Sequence, residues 1–492
     1  MKSIILFQPR FGYYDLLIRE IPLGLLSISR YLHQKYKITI IDQRVSGWQQ
    51  LLRSALKEKP LCLGITCTTG KQIDYALKAC RLVRSESNVP IVWGGIHPTL
   101  LPEQTLENPL VDIVVEGEGE VAFLKLIEAL EEGKSLSDIS GVWHKDGGCV
   151  MPGHSQGVLL DLDKLPPVPY KLIDLSFYTG FALQNFGSVF MLESSRGCPN
   201  RCTFCYNSTF DKSNWRIMSA EKIMENIKYL SSQARLDGIN FVDDNFFASA
   251  PRTIRLIELM KKDRLNVKWA CEASIEQLKK MDDTMLRDLE ETGLSWMSIG
   301  IETGSEKIMG LIHKDLLIQE ALEVNTRLKK FKIIPKYNFM CGFISETKQD
   351  LEKTTNLILS LLKNNPRAII QTFNIAVPYP ATKYYQACLE HGLSGPKSLA
   401  EWAVFDPDDW IDYCPWLAPK QKRLLKTLYV SSLFIDTKSS LHVSKRSFYY
   451  LFIRLIYALY HRIAKFRFSR QSSFFHLEVK LFAIFKRLFA GV

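Results

Sequence analysis

At 492 residues, with 46% hydrophobic and 23% charged side chains, the chain is long enough for two or three domains with large cores, which excludes a disordered or fibrous protein. The net charge of +11 is concentrated, because residues 440–492 hold ten Lys and Arg against one acid, Glu478; the remainder is close to neutral, which excludes a nucleic-acid channel through the body. Eleven cysteines, odd in number and mostly within apolar runs (Cys62, Cys67, Cys271, Cys341), exclude a disulfide framework and point to a reducing, cytoplasmic compartment, and no stretch reaches the roughly 18–20 apolar residues of a membrane span.

Residues 4–8 form an apolar run closed by Pro9, too short for a signal peptide and better read as a first strand. Further strands are expected at 38–42, 61–66, 91–94 and 112–116, with helical periodicity at 23–34, 73–84 and 120–130. This alternation over residues 1–145 predicts a doubly wound, Rossmann-like (flavodoxin-like) parallel sheet. Such sheets bind ligands outside the carboxyl ends of their strands. Asp42, Thr66, Thr68, Gly94, Gly95 and the run Glu116-Gly117-Glu118-Gly119-Glu120 stand there. Residues 146–186 include Pro166, Pro167 and Pro169, which stiffen a segment, and read as an interdomain linker.

Over residues 187–395 a strand-then-helix pattern repeats, with strands centred near Phe190, Phe241, Ala270, Ile299, Met340 and Phe373. Most spacings are about thirty residues, the length of a βα unit. Six units predict an open (β/α)6 partial barrel with its site at the C-terminal mouth. Ser219 is the expected N-cap of the first crossover helix, which carries Ile223, Ile227 and Leu230 at helical spacing.

The first of these strands runs into Glu-Ser-Ser-Arg-Gly-Cys-Pro-Asn-Arg-Cys-Thr-Phe-Cys-Tyr, residues 193–206. Three thiolates, Cys198, Cys202 and Cys205, can hold three corners of a [4Fe-4S] cube and leave one iron open for chemistry. A structural zinc site wants four ligands in two pairs, and no second pair follows. Core cysteines are common, but this density beside Gly197 and Pro199 is unlike core filler. Acids end the next strands: Asp243 and Asp244 beside Asn245, then Glu272, then Glu302. An unpaired buried carboxylate is costly, so these read as ligand contacts, with helix capping the alternative for Asp243 and Asp244.

Residues 396–492 read as helical. Trp402, Trp410 and Trp416 roof the barrel or line a pocket. Residues 448–460 are apolar apart from Arg454, and Phe474, Leu477, Leu481, Phe485 and Leu488 mark one face of a later helix that carries Lys480, Lys486 and Arg487 elsewhere. This basic, aromatic, amphipathic region, residues 440–492, fits peripheral contact with a membrane surface or a tail docked on the protein's own barrel.

The three-cysteine loop, together with Phe241-Val-Asp-Asp-Asn-Phe246, Ile299-Gly-Ile-Glu-Thr-Gly-Ser-Glu306 and Pro378-Tyr-Pro-Ala381, resembles the radical SAM proteins that carry an N-terminal cobalamin-binding domain. Gly94-Gly95-x-His97-Pro98-Thr99 and residues 111–120 resemble that cobalamin domain, so the likeness covers roughly residues 1–390. It implies a [4Fe-4S] cluster on Cys198, Cys202 and Cys205, and S-adenosylmethionine near Phe204, Tyr206, Asp243, Asp244, Glu272, Glu302 and Gly342. It also implies cobalamin near Asp42, Thr66, Thr68, Gly94, Gly95, Glu116, Gly117 and Glu118. The Asp-x-His-x-x-Gly motif that supplies a lower cobalt ligand in many cobalamin proteins is absent, and His97 reads as a residue that orders its loop. The family usually has glycine where Ser345 and Ala381 stand.

In this family one electron from the cluster cleaves S-adenosylmethionine to methionine and a 5′-deoxyadenosyl radical. The resemblance implies a cobalamin-dependent methyltransferase acting on an unactivated carbon (or phosphinate) of a small-molecule or lipid substrate, fed by a reducing donor of flavodoxin or ferredoxin type. Cyclisation or rearrangement without methyl transfer is the alternative, and a non-catalytic iron–sulfur electron-transfer or scaffold protein is the alternative of another class. A tRNA methylthiotransferase would need further cluster cysteines in the N-terminal domain, an arrangement that Cys62, Cys67 and Cys80 do not match.

Overall fold

A computed structural model describes the chain except for residues 13, 14, 16, 17, 154–158, 179, 182–186, 211–213, 408, 437–449, 475, 476 and 490–492. The N-terminal sheet is built from β1 (Ser3–Gln8), β2 (Lys37–Asp42), β3 (Leu63–Thr66), β4 (Ile91–Gly94), β5 (Ile113–Val115), β6 (Val142–Asp146) and β7 (Cys149–Met151). Their order across the sheet is β2-β1-β3-β4-β5-β6-β7. The first five are parallel, and every residue of β1 is buried, as expected for a strand covered on both faces. The order reverses at β1, and the ligand crevice lies beyond the carboxyl ends of β3, β4 and β5.

The antiparallel hairpin of β6 and β7 turns on Gly147 and Gly148, both at positive φ (55° and 88°), as a tight hairpin loop requires. It carries the sheet on to Met151. Its strands hold His144, Lys145, Asp146 and Cys149, so they lack the apolar run that marked the parallel strands. The helices that cover the sheet include α1 (Leu23–Ile28), α2 (Gln72–Glu86) and α3 (Gly119–Glu132). α1 is shorter than its periodicity suggests. Ser29 Oγ donates back to Leu25 O at 2.7 Å, a local bond that competes with continued helix, and turns follow.

The described part of the proline segment clasps both halves of the chain. Arg30 Nη1 donates to Pro166 O at 2.7 Å, Tyr170 is buried, and Tyr178 Oη donates to Asp42 Oδ2 at 3.0 Å.

The second sheet is parallel throughout, in chain order: β8 (Val189–Leu192), β9 (Gly238–Phe241), β10 (Lys268–Ala273), β11 (Leu294–Glu302), β12 (Ile334–Cys341) and β13 (Ile369–Ile375). All six expected strands form. The first crossover helix, α4 (Ala220–Gln233), starts as expected, with Ser219 accepting from Lys222 N–H at 3.1 Å and Ile223, Ile227 and Leu230 buried. A later crossover helix, α5 (Lys348–Asn364), is capped by Thr347 and Asp350.

The edge strand β13 is covered by the C-terminal helices α6 (Pro419–Ser432) and α7 (Tyr450–Arg470), with α8 (Leu477–Phe489) against α6. Phe468 of α7 packs on Phe373 of β13 at 5.4 Å, and Asp436 accepts from the backbone of Ile370. Residues 437–449 of the basic stretch, and the side chains of Phe485 and Leu488, lie outside the described residues.

The three tryptophans form a clasp between domains. Rings run from His97 to Trp402 (5.8 Å), Phe405 (4.6 Å), Trp410 (4.5 Å) and Trp416 (6.1 Å). Trp402 Nε1 donates to Gln104 Oε1 in the first domain, and Trp416 Nε1 donates to Gly342 O at the end of β12.

Ser345 and Ala381, where glycine is usual, both lie in left-handed backbone (φ 62° and 59°). The turns are kept and the strain of a Cβ is accepted. Ser345→Gly and Ala381→Gly are each expected to stabilise the fold by about 0.5–1 kcal/mol, the relief of strain less the entropy of glycine. Thermal unfolding checks this; a lowered midpoint would contradict it.

Candidate functional site

The cysteine loop leaves β8 through Gly197 (φ 80°) and is pinned on both sides. Thr203 N–H donates to Ile312 O, Thr203 Oγ1 donates to Leu311 O, and Tyr384 N–H donates to Thr203 O. Cys198, Cys202 and Cys205 are half-buried and near enough to influence one another electrostatically. Burial raises all three thiols, Cys205 to about 12, while backbone N–H groups of Asn200 and Asn207 at Cys198 and Cys205 favour the thiolates. Three buried thiolates need a cationic body among them, and an iron cluster supplies that. Among the described residues no three His, Cys, Asp or Glu side chains close on a point a single ion would fill. A cube, bound at separate corners, does not demand that they do.

Asp244 and Glu302 act electrostatically on the cysteines of this loop, and Glu272 stands close enough to both to feel their charge. Burial raises Asp244 and Glu272, and Glu272 is raised further by Glu302 and Asp244. Asp244 also receives a hydrogen bond from the Asn207 side chain. Glu302 ends β11 at a register shift with φ 71°, a strained conformation of the kind found at functional sites, and accepts from Lys314 Nζ at 2.9 Å. Burial works against the charge of Lys314, but Glu302 and Cys202 outweigh it and hold its pKa above the usual lysine value. Carboxylates crowded beside a cluster loop suit a cationic ligand, and S-adenosylmethionine carries both a sulfonium and an ammonium.

Two expected contacts with that ligand are otherwise engaged. Asp243, fully buried, accepts from Ser194 N–H (2.7 Å), Ser194 Oγ (2.5 Å) and Ser195 Oγ (2.7 Å), with Arg252 at 3.7 Å. It is a strut beneath the cysteine loop. Gly342 donates its N–H to Glu346 Oε2 (2.6 Å) and accepts from Trp416, so its backbone is occupied. Phe204 packs on the core, while Tyr206 lines the cavity described next. Asn245 is fully buried, with no hydrogen-bond partner for its side-chain N or O among the described residues. Lys336, deep in the barrel with Nζ 3.7 Å from the Trp296 ring centroid, is lowered by burial to about 7.

A cavity of about 400 Å³ lies between the two sheets. Its first wall is the carboxyl end of the N-terminal sheet, with Thr66, Thr68, Gly94, Gly95, Gly117 and Glu118 all contributing. Its opposite wall is the cysteine loop and the next strand end, with Arg196, Gly197, Tyr206 and Asp244. Glycine keeps the first wall open: a Cβ on Gly117 would project into empty space, and one on Gly95 (φ 94°) would press on Thr66 Oγ1 at 2.9 Å. With apolar Leu23, Ile28, Val115 and Phe123 completing it, the cavity offers an apolar, glycine-edged face against which one side of a flat macrocycle such as the corrin of cobalamin can lie.

Two expected cobalamin contacts do not reach this cavity. Asp42 is buried in a bidentate pair with Arg44 (2.9 and 2.6 Å) and accepts from Tyr178, while Glu116 accepts from Trp143 Nε1 at 2.7 Å. No histidine is among the described lining residues. His97 instead bonds Thr69 Oγ1 through Nδ1 (3.0 Å) beneath Trp402, and burial lowers it to about 3, so it is a neutral residue ordering its loop.

Arg196 stands beside the cysteines in the sequence, where it could tune cluster charge or meet the linker; what the sequence concealed is its partners in the first domain. Its guanidinium donates to Glu193 (2.9 Å) in its own loop and pairs with Glu118 (3.0 Å) and Glu120 (2.6 Å) of the first domain. Arg216 joins through Glu118. Burial opposes these charges, yet the pairing wins, raising Arg196 and lowering Glu120. The cysteine loop and the cavity's first wall are thus bolted together. The alternating Glu118-Gly119-Glu120 hinted at this, but its partner lies 76 residues away.

Comparisons with known proteins divide the chain the same way. Residues 19–127 match the B12 binding domain, and residues 192–358 match the Radical SAM superfamily. An uncharacterized methyltransferase of Pyrococcus horikoshii is 28% identical over 413 residues, 83% of this chain and 87% of that protein. The anaerobic magnesium-protoporphyrin IX monomethyl ester cyclase of Rubrivivax gelatinosus is 26% identical over 303 residues, 60% of this chain and 53% of the cyclase. Among solved structures, the cobalamin-dependent S-adenosylmethionine radical enzyme OxsB, with aqua-cobalamin and S-adenosylmethionine bound, aligns at a TM-score of 0.74 and 17% identity, over 95% of this chain and 72% of that one.

Proposed function

Because the chain joins a B12-binding domain to a radical SAM domain and so belongs to the cobalamin-binding radical SAM enzymes, we propose that it methylates an unactivated carbon (or phosphinate) of a small-molecule or lipid substrate. The observation that carries this reading is the single cavity walled by the glycine-rich strand ends on one side and the cysteine loop on the other. When bound, the cluster supplies the electron that cleaves a carbon–sulfur bond of S-adenosylmethionine, and cobalamin supplies the methyl group. A flavodoxin- or ferredoxin-type donor is the expected source of that electron.

The chain's own residues bind, orient and exclude water. Asp244, Glu272 and Glu302 present negative charge to the sulfonium and ammonium of S-adenosylmethionine. Lys314 holds Glu302 in its strained position. Phe204 and Tyr206 shield the loop from solvent. Arg196 and its three glutamates keep both walls of the cavity at one separation, so that groups held on each remain in reach of a common substrate.

Cyclisation without methyl transfer is the second reading, favoured by the likeness to the cyclase. Product analysis of anaerobically reduced, cobalamin-loaded protein separates the two. Methylation yields S-adenosylhomocysteine beside 5′-deoxyadenosine. 5′-Deoxyadenosine with product but no S-adenosylhomocysteine assigns the cyclase reading, and neither nucleoside overturns both.

A further inference from the structure

The geometry points to a membrane-docking face on α7 and α8 whose partner is an anionic lipid bilayer. Among the described residues, the inward side of α7 is engaged. Ala464 and Phe468 are buried, Tyr460 meets Ser431 and Phe434, and His461 Nδ1 lies 3.0 Å from Phe434 O. The opposite side exposes Leu455, Leu459, Ile463 and Phe466, with Leu459 at 65% and Phe466 at 56%. At 100° per residue these four fall within an arc of about 80°, a continuous apolar stripe rather than scattered surface residues. Phe474, Leu477, Leu481 and Ile484 extend exposed apolar surface across the turn and along α8. Single exposed leucines are ordinary, but seven large apolar side chains on two consecutive helices, with an eighth in the turn between them, are not.

Charge identifies the occupant. Arg462 and Lys465 border the stripe, Arg470 lies within its arc, and Lys480 borders α8; all four are exposed. The one acid of the region, Glu478, is turned inward and paired with Arg467 at 2.7 Å. The exposed face is therefore apolar at its centre and cationic at its rim, with no exposed acid among the described residues of α7 and α8. That matches a bilayer surface with anionic headgroups. Among the described residues neither helix is long and apolar enough to cross a membrane, so the proposed contact lies in the interface plane. The half of the tail that docks on the barrel and the half that faces lipid are two sides of one helix. The inference is independent of the reaction catalysed.

Cosedimentation of the full-length chain with vesicles of phosphatidylcholine mixed with phosphatidylglycerol tests it. Binding is expected with the mixed vesicles, to weaken as salt is raised, and to be weaker with phosphatidylcholine alone. The triple substitution Leu459→Glu, Ile463→Glu and Phe466→Glu is expected to lower the bound fraction about tenfold or more, with thermal unfolding unchanged because all three side chains are exposed. Failure of the parent chain to bind mixed vesicles at low salt would overturn the inference, as would equal binding by the triple variant. A parent that is dimeric and lipid-free, and becomes monomeric in the triple variant, would overturn it in favour of a contact between copies.

Discussion

Replacing Cys198, Cys202 and Cys205 together by alanine is expected to remove bound iron and to lower 5′-deoxyadenosine formation by at least about 10³-fold, the scale seen when groups that act as one unit are removed. The three thiols sit on a loop fastened at Thr203 to the helix at residues 306–311 and to residue 384, so their positions are set by the barrel. Alanine removes ligands without disturbing those bonds, which are all to backbone or to Thr203. The variant should therefore fold, bind cobalamin through the other wall of the cavity, and fail only in cleavage. Cleavage persisting in the variant would show that the loop is not the seat of the chemistry.

Arg196→Met is expected to cost about 3–5 kcal/mol, because it takes the paired guanidinium from buried Glu120 and part-buried Glu193 and leaves Glu118 to Arg216 alone. The loss should appear as a lowered unfolding midpoint and as poorer retention of cobalamin, since Glu118 and Arg196 both border the cavity. Arg196→Lys should recover little, because one ammonium cannot replace a planar fork bonding three carboxylates. Adding Glu120→Gln to Arg196→Met should restore part of the stability, as one unpaired charge is then removed. A parent-like midpoint and parent-like cobalamin retention in Arg196→Met would refute the role given to this network.

Much of this architecture was legible from local pattern. The six barrel strands and five parallel strands of the first domain announce themselves as apolar runs at regular spacing, and the three-cysteine loop follows its strand directly. What stayed hidden depends on partners distant in the chain. Nothing local distinguishes Asp243 from Asp244, yet side chains alternate direction near a strand end: one is a strut on Ser194 and Ser195, the other faces the site. Asp42 stands where a ligand contact belongs but is captured by Arg44 and by Tyr178 from the proline segment. The tail read equally well as docked or as lipid-facing, and only the packed structure shows which described residues of its helices face the barrel and which stay exposed. The hairpin after β5 was missed because polar residues interrupt its alternation.

The most direct test of the account is the metal content and electron paramagnetic resonance of the chain prepared without oxygen. An open-cornered cluster predicts about four irons per chain and a reduced-cluster signal whose shape changes when S-adenosylmethionine is added. Zinc or no metal, or a cluster signal indifferent to S-adenosylmethionine, would contradict it.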